Sequence, residues 1–327
     1  MKNTIELPLI EPVYSTHHNG FFSALLVNNP SIKNWYLTNA IMLRCNRKFL
    51  SGYTSPEIMV EGLSFRGNPY LEKINIPMQF LDGYVKPVIR NLIDEGYYVH
   101  FNGVDDYYVE GKSCFKQRHM IHDGGICGYN QEKKTFCIYA YDVNWIYRKF
   151  WTSQESFMNG LRAAQKQGKY GELYGLKPNT TQLVEFSAES AIKKISAYLD
   201  SSYDKFPETG EGNVRGIVVH NYIAKYISKL YDGSIPYERM DWRTLRMIWE
   251  QKKVMLERII LIEKHFDINH NISSSYSSLV KKANHARMLY ASHHLRRRDE
   301  LLPEIENLLS AIKDEEEALL NELLSKH

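Results

Sequence analysis

Apolar and polar positions follow two different periods along this chain, and the period changes near residue 187. Beyond it the apolar residues recur at helical spacing. Ala191, Ile195 and Leu199 mark one helix. Val219, Tyr222, Ile223, Tyr226, Ile227 and Leu230 mark a second, over 218–230. Leu245, Ile248, Trp249, Leu256, Ile259, Ile260 and Ile262 mark a longer one over 241–265, and a fourth is expected over 276–294. A fifth is expected over 299–324, where Leu301, Ile305, Leu308, Ile312, Leu319 and Leu323 stand at near-heptad spacing. Such a stripe suits a helix packed within a bundle. Glu315, Glu316 and Glu317 read as part of its polar face.

The first half mixes periods. Phe21, Leu25 and Leu26 predict a helix over 18–28 with Asn19 as N-cap, and 35–44 is expected to continue the helical layer. Glycines and prolines make 47–77 irregular. Val85, Val88, Ile89, Leu92 and Ile93 predict a helix over 82–95, capped by Asp82 and closed by Gly96. Strands are expected at 97–101 and, briefly, at 107–109. Two apolar runs, 126–129 and 136–139, flank the charged turn 130–134 and predict a β-hairpin. An edge strand over 147–150 and a helix over 153–165 capped by Ser153 complete this half. The expected fold class is therefore α+β over 1–180, followed by an all-α helical domain over 181–327.

Composition narrows the function classes. A net charge of +3 is too mild for a nucleic-acid surface. No apolar run reaches the ~18 residues of a membrane span. The start of the chain has no apolar core before Pro8, so it does not read as a signal peptide. A cytoplasmic protein without nucleic-acid or membrane partners is expected. The four cysteines, Cys45, Cys114, Cys127 and Cys137, then read as reduced thiols. The two on the hairpin strands read as small hydrophobes.

The hairpin also carries the candidate chemistry. His122 enters its first strand and Asp142 follows its second. A base and an orienting acid can face each other across such a sheet, which is half of a nucleophile triad. Asp123 is the alternative acid. Cys114, His119, His122 and Cys127 offer thiols and imidazoles to zinc, in an unfamiliar spacing on alternating faces of a strand. Gly124 and Gly125 lead into a strand, so they do not form a phosphate loop. They mark a bulge or a close approach to the backbone. His293 to Arg298 form a basic turn between helices, either a solvated corner or a docking patch for an acidic carrier protein.

The order of these motifs resembles the butirosin biosynthesis protein H family, a papain-like group. The resemblance rests on Tyr97-Tyr98-Val99, Asp106-Tyr107-Tyr108-Val109, His122-Asp123 with Gly128-Tyr129, and Thr135-Phe136-Cys137-Ile138. In the second half it rests on His220-Asn221-Tyr222, on Asp241-Trp242-Arg243-Thr244-Leu245 and on the acidic closing helix. It implies a papain-like, cysteine-protease-type N-terminal domain. It further implies an acyltransferase of natural-product biosynthesis that moves an acyl group from an acyl or peptidyl carrier-protein thioester to a small-molecule amine. No cofactor is implied beyond the phosphopantetheine of the carrier. His122 matches the family's base and Asp142 its acid, although the family's carboxylate falls nearer Ala140. The nucleophilic Cys is missing: Leu25 and Leu26 set its register at Gly20. His17, His18 and Asn19 beside that slot become oxyanion or ligand candidates. Three readings follow. The chain is a non-catalytic binding or scaffold relative, or a variant with its nucleophile removed, or it uses another residue such as Ser15, Ser23 or Cys45.

Overall fold

The computed structural model describes residues 4–9, 18–52, 55–81, 83–179, 183–200, 212–268 and 271–326, the side chains of His18, Asn19 and Val27 excepted. In chain order its elements are β1 (Thr4–Glu6), α1 (His18–Asn28), α2 (Pro30–Asn39), β2 (Leu43–Asn46), β3 (Met59–Val60), β4 (Leu71–Pro77), α3 (Val85–Asp94), β5 (Tyr98–Asp105), β6 (Ile121–Asn130), β7 (Thr135–Tyr141), β8 (Tyr147–Ser153), α4 (Gln154–Lys166) and β9 (Glu172–Pro178). There follow α5 (Ala188–Leu199), β10 (Asn213–Arg215), α6 (Val219–Tyr231), α7 (Thr244–His265), α8 (Asn271–Arg296) and α9 (Leu302–Ser325). They form two compact units. One comprises 1–33 and 64–184, the other 34–63 and 185–327. The segment 34–63, expected to stay with the first half, belongs to the second unit.

The first unit is built on a seven-stranded antiparallel sheet in the order β4-β9-β5-β6-β7-β8, with β1 added alongside β6. Its hairpin is the predicted one, β6 and β7. Val85, Ile89, Leu92 and Ile93 of α3 and Phe157 and Leu161 of α4 pack with Val99, Phe101, Ile126 and Ile138 on one sheet face. Alternation along β6 turns Gly124 toward this face and Gly125 toward the other. A Cβ on Gly124 would strike the Phe101 ring at 2.7 Å, and one on Gly125 would lie 2.0 Å from the Phe21 ring of α1. The pair is thus a close approach on both faces, and α1 covers the face opposite α3 and α4.

Local chemistry explains several boundaries. Ser153 Oγ accepts the Ser156 N–H at 3.0 Å and starts α4. Gly96 takes φ +84 after α3, and the Gly96 and Tyr97 N–H groups close on Ile93 and Leu92. Asp82, the expected cap of α3, lies outside the described residues. Helix α1 begins at His18, so Asn19 falls within it rather than before it. The expected strand at 107–109 is instead a 3-10 turn over Asp106–Tyr108, because Asp105 Oδ1 accepts the Tyr107 N–H at 3.1 Å. Residues 43–46 form a strand rather than helix, paired with β3 and β10 in a small sheet.

The second unit surrounds a polar centre. Glu316 of α9 is fully buried, and Lys252 of α7 reaches it at 2.5 Å. Tyr276 and Tyr198 donate to the same carboxylate at 2.5 and 2.9 Å. His220 Nε2 lies 3.8 Å away, while its Nδ1 meets the Ile217 carbonyl at 2.8 Å. Burial alone raises Glu316, but Lys252, His220 and the hydrogen bonds outweigh it and hold the carboxyl below its ordinary range. Burial, then Lys252, pushes His220 down from 6.5 to about 4. Arg258 closes the end of α2, its Nε donating to the Leu37 carbonyl at 2.6 Å and its Nη2 to that of Ala40.

Two expectations follow. Lys252→Met leaves the Glu316 charge buried without its partner and should cost about 3–5 kcal/mol in denaturant titrations, with much of the loss recovered when Glu316→Gln is added. The pH dependence has a definite sign. Below pH 6.5 the unfolded chain takes up a proton on residue 220 that the folded chain refuses until about 4, so stability falls across that window as pH drops. His220→Gln should flatten the slope between those values, and an unchanged slope in melts recorded across the window would refute this assignment.

Candidate functional site

The titratable groups of the first unit cluster around the start of β6 and divide between the two faces of the sheet. His122 Nδ1 stands 3.3 Å from Asp106 Oδ2. Asp106 is fully buried and ion-paired through its other oxygen with Lys112, itself fully buried. Lys112 Nζ also donates to the Asp123 carbonyl at 3.0 Å and lies 5.4 Å from the centre of the Phe101 ring. The acids that meet His122 are therefore Asp106 at Nδ1 and, at 3.7 Å from Nε2, the alternative Asp123; Asp142 is not among them.

Strand alternation decides what each group can reach. His122 pairs with Val104, a member of the core under α3 and α4, and shares the parity of Gly124. It belongs to the face away from α1. Asp123 shares the parity of Gly125 and so belongs to the α1 face. There its Oδ2 lies 3.5 Å from His100 Nε2, while its Oδ1 stands 3.7 Å from His122 Nε2. His100 is buried against Phe65, Phe21 and Tyr174, with ring centroids at 5.2, 6.0 and 5.9 Å. The imidazole turned toward α1 is thus that of His100, and sequence reasoning missed it. Its signal was present, since His100 is the one polar residue in the apolar run Tyr97–Phe101.

Gly20 lies in the first turn of α1, buried. A Cβ there would meet Cε1 of Tyr147 at 2.8 Å and Cζ at 3.0 Å. The Tyr147 ring therefore fills the space that a side chain at position 20 would enter. It is held edge-on to Tyr139 and Tyr141, at 4.7 and 4.9 Å, and its hydroxyl is hydrogen-bonded to the Phe21 backbone. Burial first, then the Asp123 charge, pushes this phenol well above its ordinary value. It remains a neutral plug and is no nucleophile.

The other candidates are placed elsewhere. Ser23 is fully buried and donates to the Gly20 carbonyl at 3.1 Å. Cys45 lies in β2 of the second unit, buried, its thiol pushed up to about 12 by that burial. His17 and Ser15 lie outside the described residues, as do the side chains of His18 and Asn19. Asp142 is buried at the β7–β8 turn, where Oδ1 accepts the N–H groups of Asn144 and Ile146 at 2.9 Å each and Oδ2 pairs with Arg148 at 2.5 Å. Turn amides and a guanidinium occupy this carboxylate, which leaves it no part in orienting His122.

The four residues considered for zinc do not converge. His119 pairs with Asp105 at 2.7 Å and stacks on Tyr107. Cys114 accepts from Arg118 at 3.3 Å. Cys127 faces Cys137 at 3.5 Å, and that neighbour and burial hold its thiol far above the ordinary range.

Gly20→Cys should be destabilised by about 1–3 kcal/mol through overpacking. Adding Tyr147→Ala should return part of that loss, although Tyr147→Ala alone is itself destabilising. Additive melting shifts in the two single variants and the double variant would show that the ring and position 20 do not compete for one space.

No protein-family model matches this chain, and no curated protein matches it.

Proposed function

We propose that the chain is a papain-like relative of the butirosin biosynthesis protein H group that no longer forms an acyl-enzyme. It serves natural-product assembly by binding an acyl-carrier or amine ligand, or as a scaffold. The Tyr147 ring in the Cβ space of Gly20 carries this reading. A thiol-transfer enzyme needs a nucleophile at the helix start and an imidazole beside it. Here glycine holds the position and an aromatic ring closes it. Among the described side chains, the imidazole on that face is His100, and it is buried among rings.

The resemblance assigns the base to His122 and its acid to Asp142, whereas the His–Asp pair on the α1 face is His100 with Asp123. Asp123 and His100 are then ligand-orienting groups rather than a charge system for proton transfer.

The test is covalent loading. The purified chain is incubated with an acylated carrier protein and with an acyl-pantetheine thioester, followed by intact-mass measurement and thiol release. No acyl adduct and no thiol release above buffer are expected. An adduct on the chain as it stands would overturn the proposal in favour of an active acyltransferase. The Gly20→Cys/Tyr147→Ala double variant, with a thiol restored and its space cleared, is expected to acquire the adduct. A folded double variant that stays unloaded would sever the link to thiol acyl transfer.

A further inference from the structure

The β7–β8 turn presents a second feature, independent of the α1 face. Val143, Trp145 and Ile146 stand 49%, 40% and 54% exposed within four consecutive residues. Trp145 takes φ +58, a left-handed conformation that bulky residues avoid. The turn is nonetheless tightly fixed. Asp142 Oδ1 accepts the N–H groups of Asn144 and Ile146, the Asp142 carbonyl accepts that of Trp145 at 2.8 Å, and the Ile146 carbonyl accepts that of Asp142 at 2.9 Å.

The N–H groups of Asp142, Asn144, Trp145 and Ile146 are thus taken within the turn, which narrows the choice of occupant. A strand-adding protein partner needs free N–H and C=O groups. An apolar medium demands that backbone groups be satisfied within the segment. The charged side chain seen against the tip is basic. Arg118 lies 5.6 Å from the centre of the Trp145 ring, and Lys116, Arg118 and Arg148 are all exposed. The carboxylates Asp105, Asp106 and Asp142 are buried, Asp106 and Asp142 ion-paired with Lys112 and Arg148 and Asp105 in contact with His119 Nδ1. Trp beside basic residues suits the level of lipid headgroups.

We propose that this turn is an interfacial anchor, with Val143, Trp145 and Ile146 entering an anionic lipid surface and Lys116 and Arg118 meeting its headgroups. This is peripheral attachment. No helix among the described residues is long and apolar enough to cross a membrane. It revises the expectation of no membrane partner, which rested on the lack of a span.

Sedimentation of the whole chain with sucrose-loaded vesicles tests the proposal. Binding is expected to phosphatidylcholine vesicles containing about 30% phosphatidylserine, much less to phosphatidylcholine alone, and to weaken as salt shortens the reach of the charges. Trp145→Asn/Ile146→Asn should lose roughly tenfold in partitioning, since Asn accepts the left-handed conformation and the turn keeps its hydrogen bonds. Lys116→Gln/Arg118→Gln should lose severalfold for anionic vesicles only. Phe80→Asn, at an exposed aromatic elsewhere, should change nothing. Absence of binding by the unaltered chain at low salt would overturn the proposal and leave the turn to a protein partner. Equal loss in Phe80→Asn, or full retention in the Trp145/Ile146 variant, would also overturn it.

Discussion

A single buried ammonium organises the chemistry of the first unit. Lys112 has no exposed surface, and a bare charge in that setting would cost several kcal/mol. It is tolerated because Asp106 supplies the opposite charge and the Asp123 carbonyl a second acceptor. That requirement ties the 3-10 turn after β5 to the start of β6. It also fixes Asp106 where it can receive His122. The His122–Asp106 contact is best understood as part of this neutralising group, on the face away from α1. A histidine with an acid partner is not thereby a catalytic base, because it must also face a reacting atom.

The decisive constraint is parity. Adjacent strand residues point to opposite faces, so His122 and Asp123 cannot both look at α1. The register is set by contacts that admit no side chain: Phe21 over Gly125 and Phe101 over Gly124. Once those are seated, Asp123 and His100 come to α1 and His122 leaves it. Reading the motif as His plus acid turned His122 toward the helix, and strand parity turns it to the other face. The Gly pair carried the missing information, although only the structure shows which ring covers which glycine.

Long amphipathic elements were legible because burial imposes their period. α3, α4, the hairpin and all five later helices follow from it, whereas α1 is buried on every side over residues 20–26. β4 and β9 were not legible. β4 is an exposed strand with Glu72 and Lys73 in its interior, so it shows no apolar alternation. The polar centre of the second unit escaped for the opposite reason. Glu316 falls in line with Ile305, Leu309, Ile312, Leu320 and Leu323, and Lys252 in line with Leu245, Ile248, Met255, Ile259 and Ile262. Each charge occupies a core position of its helix; Glu316 was set with the polar face because of its type, and Lys252 was passed over. A charged residue on the apolar stripe of one helix calls for an opposite charge on the stripe of another, and these two answer each other.

Asp142 shows how a wrong role can still point to the right place. A carboxylate at the end of a strand has two uses, to orient a side chain across the sheet or to satisfy the amides of the turn that follows. Here the amides and Arg148 take it. The turn it fixes ends at Ile146, and the next residue is Tyr147, whose ring closes over Gly20. The hydrogen bonds that thrust Trp145 and Ile146 outward therefore also set the point from which Tyr147 enters the α1 face. Tyr147 is also fixed from within the sheet, by its pairing with Tyr141 across the β7–β8 ladder and by the rings of Tyr139 and Tyr141.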